Sequence, residues 1–127
     1  MRLLGIDYGR RKVGLAISEG KVAEPLYVIR YSDEKALGAS IGRIIKEFET
    51  EKVVVGVSEG EMGEESKNFG QSLSQKLQIP VETFDETLST HDAQRVSIEA
   101  GIKREKRKSM EDAYAAAIML QGYLDAV

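Results

Sequence analysis

Leu3-Leu4-Gly5-Ile6-Asp7-Tyr8-Gly9-Arg10-Arg11-Lys12-Val13-Gly14-Leu15-Ala16-Ile17-Ser18 decides how this chain folds. Two apolar runs flank a short turn that carries three basic residues, and such runs read as buried strands joined in a tight hairpin. Asp7 ends the first run, where a carboxylate would leave an apolar sheet. A charge at that position needs a partner: a cation from the chain, a proton or a metal. Asp7 is therefore read as the central ligand of a metal site, although an aspartate can also cap a turn.

Working outward, Leu3–Asp7 and Val13–Ser18 form the first two strands, and Val22–Tyr31 a third, with Pro25 pointing to a sheet edge or to a late start of that strand. Short turns between them require an antiparallel meander. Ser32-Asp33-Glu34 opens a helix whose apolar face comprises Ala36, Leu37, Ile41, Ile44, Ile45 and Phe48, with Ser32 or Asp33 as its cap. Lys52–Val57 is a β-branched run suited to a parallel strand covered on both faces. Ser58–Glu65 reads as an acidic, glycine-rich mobile rim, followed by a helix over about Glu65–Leu77. A short strand, Val81–Phe84, ends at Asp85-Glu86. Further helices are expected over Thr90–Ala100 and from Ser109 to the end, separated by a basic loop, Ile102–Lys108.

This order predicts an α/β fold over residues 1–127 as a single domain. Its mixed five-stranded sheet has an antiparallel β1-β2-β3 meander, then β4 and β5 added by helical crossovers, with helices on both faces. The first and fourth strands should be central neighbours, and ligands in such sheets gather at the carboxyl ends of the central strands.

Composition narrows the chemistry. With 127 residues, 42% of them hydrophobic and 31% charged, the chain is expected to fold and stay soluble. It has no cysteine, which excludes thiolate metal sites and thiol nucleophiles. No apolar run approaches the roughly 20 residues that span a bilayer, and no signal peptide is visible, so no membrane role and a cytoplasmic location are expected. The net charge of −3 hides two basic clusters. Arg10, Arg11 and Lys12 form one; Lys103, Arg104, Lys106, Arg107 and Lys108 form the other. Local clusters of this kind suit a phosphate backbone, and equally a solvated surface.

Three acids at element ends can converge in this topology: Asp7, the Asp85-Glu86 pair and Asp112. Carboxylates without His or Cys suit Mg²⁺ or Mn²⁺, and a cluster of like charges needs such a cation. Paired ions of this type promote phosphodiester hydrolysis. Asp112 is also three residues after Ser109, where a capping-box partner sits, and position alone does not separate it from Glu111. His91 reads as an exposed surface residue, and Ser89 and Thr90 as a helix cap rather than a phosphate site.

Four blocks together resemble the YqgF family, also called RuvX-like, which is related to the RuvC resolvase within the ribonuclease H-like fold. They are Ile6-Asp7-Tyr8-Gly9 with Val13-Gly14-Leu15-Ala16, then Val55-Gly56-Val57, then Asp85-Glu86-Thr87-Leu88-Ser89-Thr90, and Asp112 leading into Ala115-Ala116. The resemblance implies a Mg²⁺- or Mn²⁺-dependent nuclease with Asp7, Glu86 and Asp112 as catalytic metal ligands. It implies processing of the 5′ end of precursor 16S rRNA, with the ribosomal small-subunit precursor as partner. A Holliday junction resolvase and a non-catalytic RNA-binding assembly factor are the alternatives, and a monomer or weak homodimer is expected. Two positions depart from the family pattern: Ser58 stands where a proline is usual, and Thr87 where an arginine follows the glutamate.

Overall fold

The computed structural model describes residues 1–85 and 104–127, with the backbone alone for 104–108. Five strands are present: β1 (Leu3–Asp7), β2 (Lys12–Ser18), β3 (Ala23–Arg30), β4 (Lys52–Val57) and β5 (Val81–Asp85). The described helices are α1 (Glu34–Glu47), α2 (Gly60–Leu77) and α3 (Arg104–Ala126). The sheet order is β3-β2-β1-β4-β5. β1 pairs antiparallel with β2 and parallel with β4, and β4 pairs parallel with β5. Pro25 lies in the edge strand β3, paired with Ala16 beside a register irregularity, the kind of position at which a sheet admits proline.

Alternation along the strands divides the core into two layers. Leu4, Ile6, Val13, Leu15, Val53 and Val55 point toward α1 and α2, meeting Leu37, Ile41, Ile44, Phe69 and Leu73. Leu3, Ala16 and Val54 point the other way, toward Ala116, Met119, Leu120 and Tyr123 of α3. Small residues bring the two sides of the second layer close at particular points. A Cβ built on Gly5 would lie 3.0 Å from the Leu120 Cβ, and one on Gly14 would lie 1.9 Å from the Asp112 carbonyl oxygen. Glycines in the sheet and alanines in the helix thus let α3 lie directly on the strands.

Three expectations need correction. The segment Ile102–Lys108 is not a loop throughout, because α3 includes Arg104 onward. Arg104-Glu105-Lys106-Arg107-Lys108 are strong helix formers with no glycine or proline among them. Ser109 therefore lies inside a helix rather than at its cap, which removes the capping-box role for Asp112. The acidic rim after β4 is also helical from Gly60 on. Gly63 permits this tight entry, since a Cβ there would meet the Ser58 carbonyl oxygen at 1.9 Å. Ala36 is exposed rather than packed, because the buried stripe of α1 runs through Leu37, Ile41 and Ile44. The cap of α1 is Asp33, whose side chain accepts a hydrogen bond from the Lys35 N–H at 3.1 Å. The helix expected over Thr90–Ala100, with Ser89 and His91, lies outside the described residues.

Candidate active site

Asp7 is the last residue of β1, at the carboxyl end of the central strand pair. Its register neighbours are Gly14 on β2 and Gly56 on β4, so neither flanking residue carries a side chain. By strand alternation Asp7 belongs to the α3 face, together with Leu3 and Gly5. Asp7 is half-buried.

Asp112 reaches the same rim from the helix. The contact of its backbone with Gly14, the residue paired with Asp7, brings it there. Ala113, the next residue, is fully buried and anchors this turn of α3. The Asp112 carboxylate is partly exposed and accepts an ion pair from Lys12 Nζ at 3.0 Å. Asp85 ends β5, two strands away from Asp7, in register with Val57. Glu86 and Lys103 lie outside the described residues. Among the described residues no three acids or histidines cluster closely enough to hold a metal ion. Two of the three expected ligands are thus described, and both sit at one end of the sheet.

The hairpin after Asp7 is firmly tied. Tyr8 stacks on Phe69 with ring centroids 4.4 Å apart, and its hydroxyl donates to Glu34 at 2.5 Å. Burial, then the Glu34 hydrogen bond, push the Tyr8 phenol well above its ordinary pKa. Tyr31 clamps the turn from the other side: its hydroxyl donates to the Gly9 carbonyl at 2.5 Å, and its N–H to the Arg11 carbonyl at 3.0 Å.

The first basic cluster is not uniformly free for a ligand. Arg10 Nε donates to both carboxylate oxygens of Glu65 at 3.1 Å, and Nη2 to one of them at 2.6 Å. Glu61 adds a looser contact at 3.7 Å. The Glu65 hydrogen bonds raise the Arg10 pKa, and Arg10 in turn holds the Glu65 carboxyl below its ordinary value. Arg11 is exposed. Sequence reasoning misses Glu61 and Glu65 as partners of the hairpin: the Arg10–Glu65 pairing joins residues 55 apart and has no local sequence signal.

The donor set at the rim is carboxylate oxygen, without sulfur or imidazole among the described residues. It fits a hard divalent cation. The sheet order, the aspartate at the tip of the central strand and the helix aspartate beside it define an α/β protein of the ribonuclease H-like class. Solved structures agree on the fold. RuvC of T. thermophilus in complex with a Holliday junction substrate matches with a TM-score of 0.65 at 19% identity, over 99% of this chain and 96% of that one. The fowlpox virus Holliday junction resolvase matches with a TM-score of 0.66 at 13% identity, over 100% of both chains.

The chain belongs to the RuvX family, described as Holliday junction resolvase, which it matches over residues 1–126. A relative from Halothermothrix orenii is 42% identical over 134 residues, covering 98% of this chain and 95% of the relative. One from Bacillus cytotoxicus is 38% identical over 136 residues, covering 99% of each. Both relatives carry the name "Putative pre-16S rRNA nuclease". The protein is a nuclease, a hydrolase of phosphodiester bonds. No described helix is long and apolar enough to cross a membrane.

Proposed function

We propose that this chain is a Mg²⁺- or Mn²⁺-dependent nuclease that trims the 5′ end of precursor 16S rRNA within the ribosomal small-subunit precursor. Asp7, Glu86 and Asp112 hold the metal. The observation that carries this reading is the contact of Gly14 with the Asp112 backbone, because Gly14 is the strand partner of Asp7. It brings two acids from opposite ends of the sequence to one rim. The names of the relatives support the RNA substrate.

A divalent ion held by these carboxylates would supply water activation and charge neutralisation for phosphodiester hydrolysis. Asp7, rigid at a strand end, fixes where that phosphate must sit. Asp112, on a helix packed without slack against β2, holds the second side of the site. The Tyr8 and Tyr31 bonds hold the hairpin that follows Asp7, and Arg10 and Arg11 on that hairpin contact the nucleic-acid backbone, Arg10 once it leaves Glu65. Lys103, Arg104, Lys106, Arg107 and Lys108 contact the sugar-phosphate strand.

The test is a cleavage assay on single-stranded RNA, precursor-rRNA-like hairpins and four-way DNA junctions, with Mn²⁺ and with chelator. Metal-dependent cleavage of the hairpins, abolished in Asp7→Asn without loss of thermal stability, is the expected result. Retained cleavage in that variant removes the mechanism. The family description favours a second reading, resolution of DNA junctions. Cleavage of junctions alone, by a dimer seen in sedimentation, selects it. No cleavage of any substrate and no heat on Mn²⁺ titration leaves a non-catalytic RNA-binding factor.

A further inference from the structure

Lys12 opens β2 on the same sheet face as Asp7, Gly14 and Ala16. Its ammonium stands 3.0 Å from Oδ2 of Asp112, with the two side chains 44% and 30% exposed. Packing enforces the encounter. Gly14, two residues further along the same face, abuts the Asp112 backbone. Lys12 is then only about 7 Å along the strand from that contact, within easy reach of a lysine side chain. On its other flank Lys12 is paired with Arg30 across the β2–β3 ladder. Like charges directly opposite repel, which favours the Asp112 side. The ammonium is therefore a cation already delivered to an acidic rim whose donor set suits a cation.

Building on the reading of Asp112 as a metal ligand, we propose that Lys12 is a tethered stand-in for the metal. It compensates Asp112 in the metal-free protein and competes with the divalent ion for that carboxylate. Lys12 thereby sets the ion concentration at which the site fills, and keeps the paired acids tolerable before it does. An exposed ammonium–carboxylate pair is weak enough to be displaced, since such pairs contribute little in water. A divalent oxygen-seeking ion outcompetes it without any movement of the backbone.

The test is calorimetric titration of manganese chloride into the full chain at low ionic strength, as wild type, Lys12→Met, Asp112→Asn and the double variant. Loss of the competing ammonium should tighten Mn²⁺ binding about 2- to 5-fold. Lys12→Arg, which keeps the charge, should bind as wild type does. The gain should vanish in the Asp112→Asn background, where no carboxylate remains to compete for. Melting gives a second readout. Lys12→Met should lie below wild type in chelator, and the gap should close at saturating Mn²⁺. Equal or weaker Mn²⁺ binding by Lys12→Met, or a melting gap indifferent to metal, overturns the proposal. Asp112 stands as a ligand in that event if Asp112→Asn still binds Mn²⁺ more weakly. Mn²⁺ affinity indifferent to Asp112→Asn overturns the ligand assignment and the proposal together. Should Lys12→Met fail to fold, Lys12→Gln makes the same comparison.

Discussion

The space where Gly14 would carry a side chain is filled by the backbone of Asp112: a Cβ at position 14 would lie 1.9 Å from the Asp112 carbonyl oxygen and 2.8 Å from the Ala113 nitrogen. Neither is the free end of a flexible side chain, so α3 would have to lift from β2. Gly14→Ala is therefore expected to destabilise the protein by about 1–3 kcal/mol, the usual range for overpacking a tight core. Cleavage should fall further than the stability loss explains, because Asp112 moves away from Asp7. Gly38→Ala is the control. It lies inside α1 with nothing within 4 Å of a new Cβ, and should stabilise by up to about 1 kcal/mol. Denaturant melts and specific activity of the two variants check both halves.

Arg10 is expected to bind nucleic acid more strongly once Glu65 releases it. In the free protein its guanidinium is held by both Glu65 oxygens. A phosphate must displace them before it can use the same fork. Glu65→Gln removes the competing charge at an exposed position, so melting should barely change. Affinity for an RNA hairpin at low salt should rise about 2- to 5-fold. The dependence of log affinity on log salt should steepen by about 0.7 to 0.9 for one additional phosphate neutralised. Filter binding at several salt concentrations measures both quantities.

Local patterns make much of this architecture legible. The alternation of Leu4, Ile6, Val13 and Leu15 with smaller residues marks a hairpin, and the unbroken Val53-Val54-Val55 run marks a buried parallel strand beside it. Asp7 stands out because a charge at the end of such a strand needs a reason. The pairings that tie distant segments are not legible. Nothing near Arg10 announces Glu65, and nothing near Lys12 announces Asp112, since each pair forms only after the sheet is assembled. The acidic stretch after β4 reads as a loop because its glycines outweigh its helix formers. Gly63 instead serves the close approach of α2 to Ser58.

The second basic cluster should act as a unit on the sugar-phosphate strand. Arg104, Lys106, Arg107 and Lys108 fall within little more than one turn at the start of one helix, the same helix that carries Asp112. That helix joins them to the acidic rim. Replacing Lys106, Arg107 and Lys108 together by Gln should weaken nucleic-acid binding, and lower the salt slope by about 0.7 to 0.9 for each phosphate that is no longer neutralised. Mn²⁺ affinity should stay as in wild type. A salt slope equal to that of wild type would show that the strand runs elsewhere.

Away from the acidic rim, Lys52, Glu82 and Tyr123 tie β4, β5 and α3 together and should give the fold a defined pH response. Lys52 Nζ donates to Glu82 and to the Tyr123 hydroxyl, both at 2.7 Å, and that hydroxyl donates to Glu82 at 2.6 Å. Hydrogen bonds from Lys52 and then Tyr123 hold the Glu82 carboxyl below its ordinary 4.5. Hydrogen bonds to Glu82 and then Tyr123 raise Lys52 above its ordinary 10.5. A lowered carboxyl stabilises the fold above its ordinary value of 4.5, and the contribution disappears as pH falls through the folded value. A raised ammonium stabilises below its ordinary value of 10.5 and loses its effect as pH rises through the folded value. The Glu82 side chain is 51% exposed, so solvent screening keeps the effect small. Glu82→Gln should lower the melting midpoint at neutral pH by about 1–3 °C. That difference should hold steady at neutral pH and narrow as pH falls below 4.5 and the wild-type carboxylate takes up its proton. Paired melts of wild type and Glu82→Gln across this range measure it, and a gap that persists undiminished at the acid end would assign the loss to packing against Tyr123 rather than to charge.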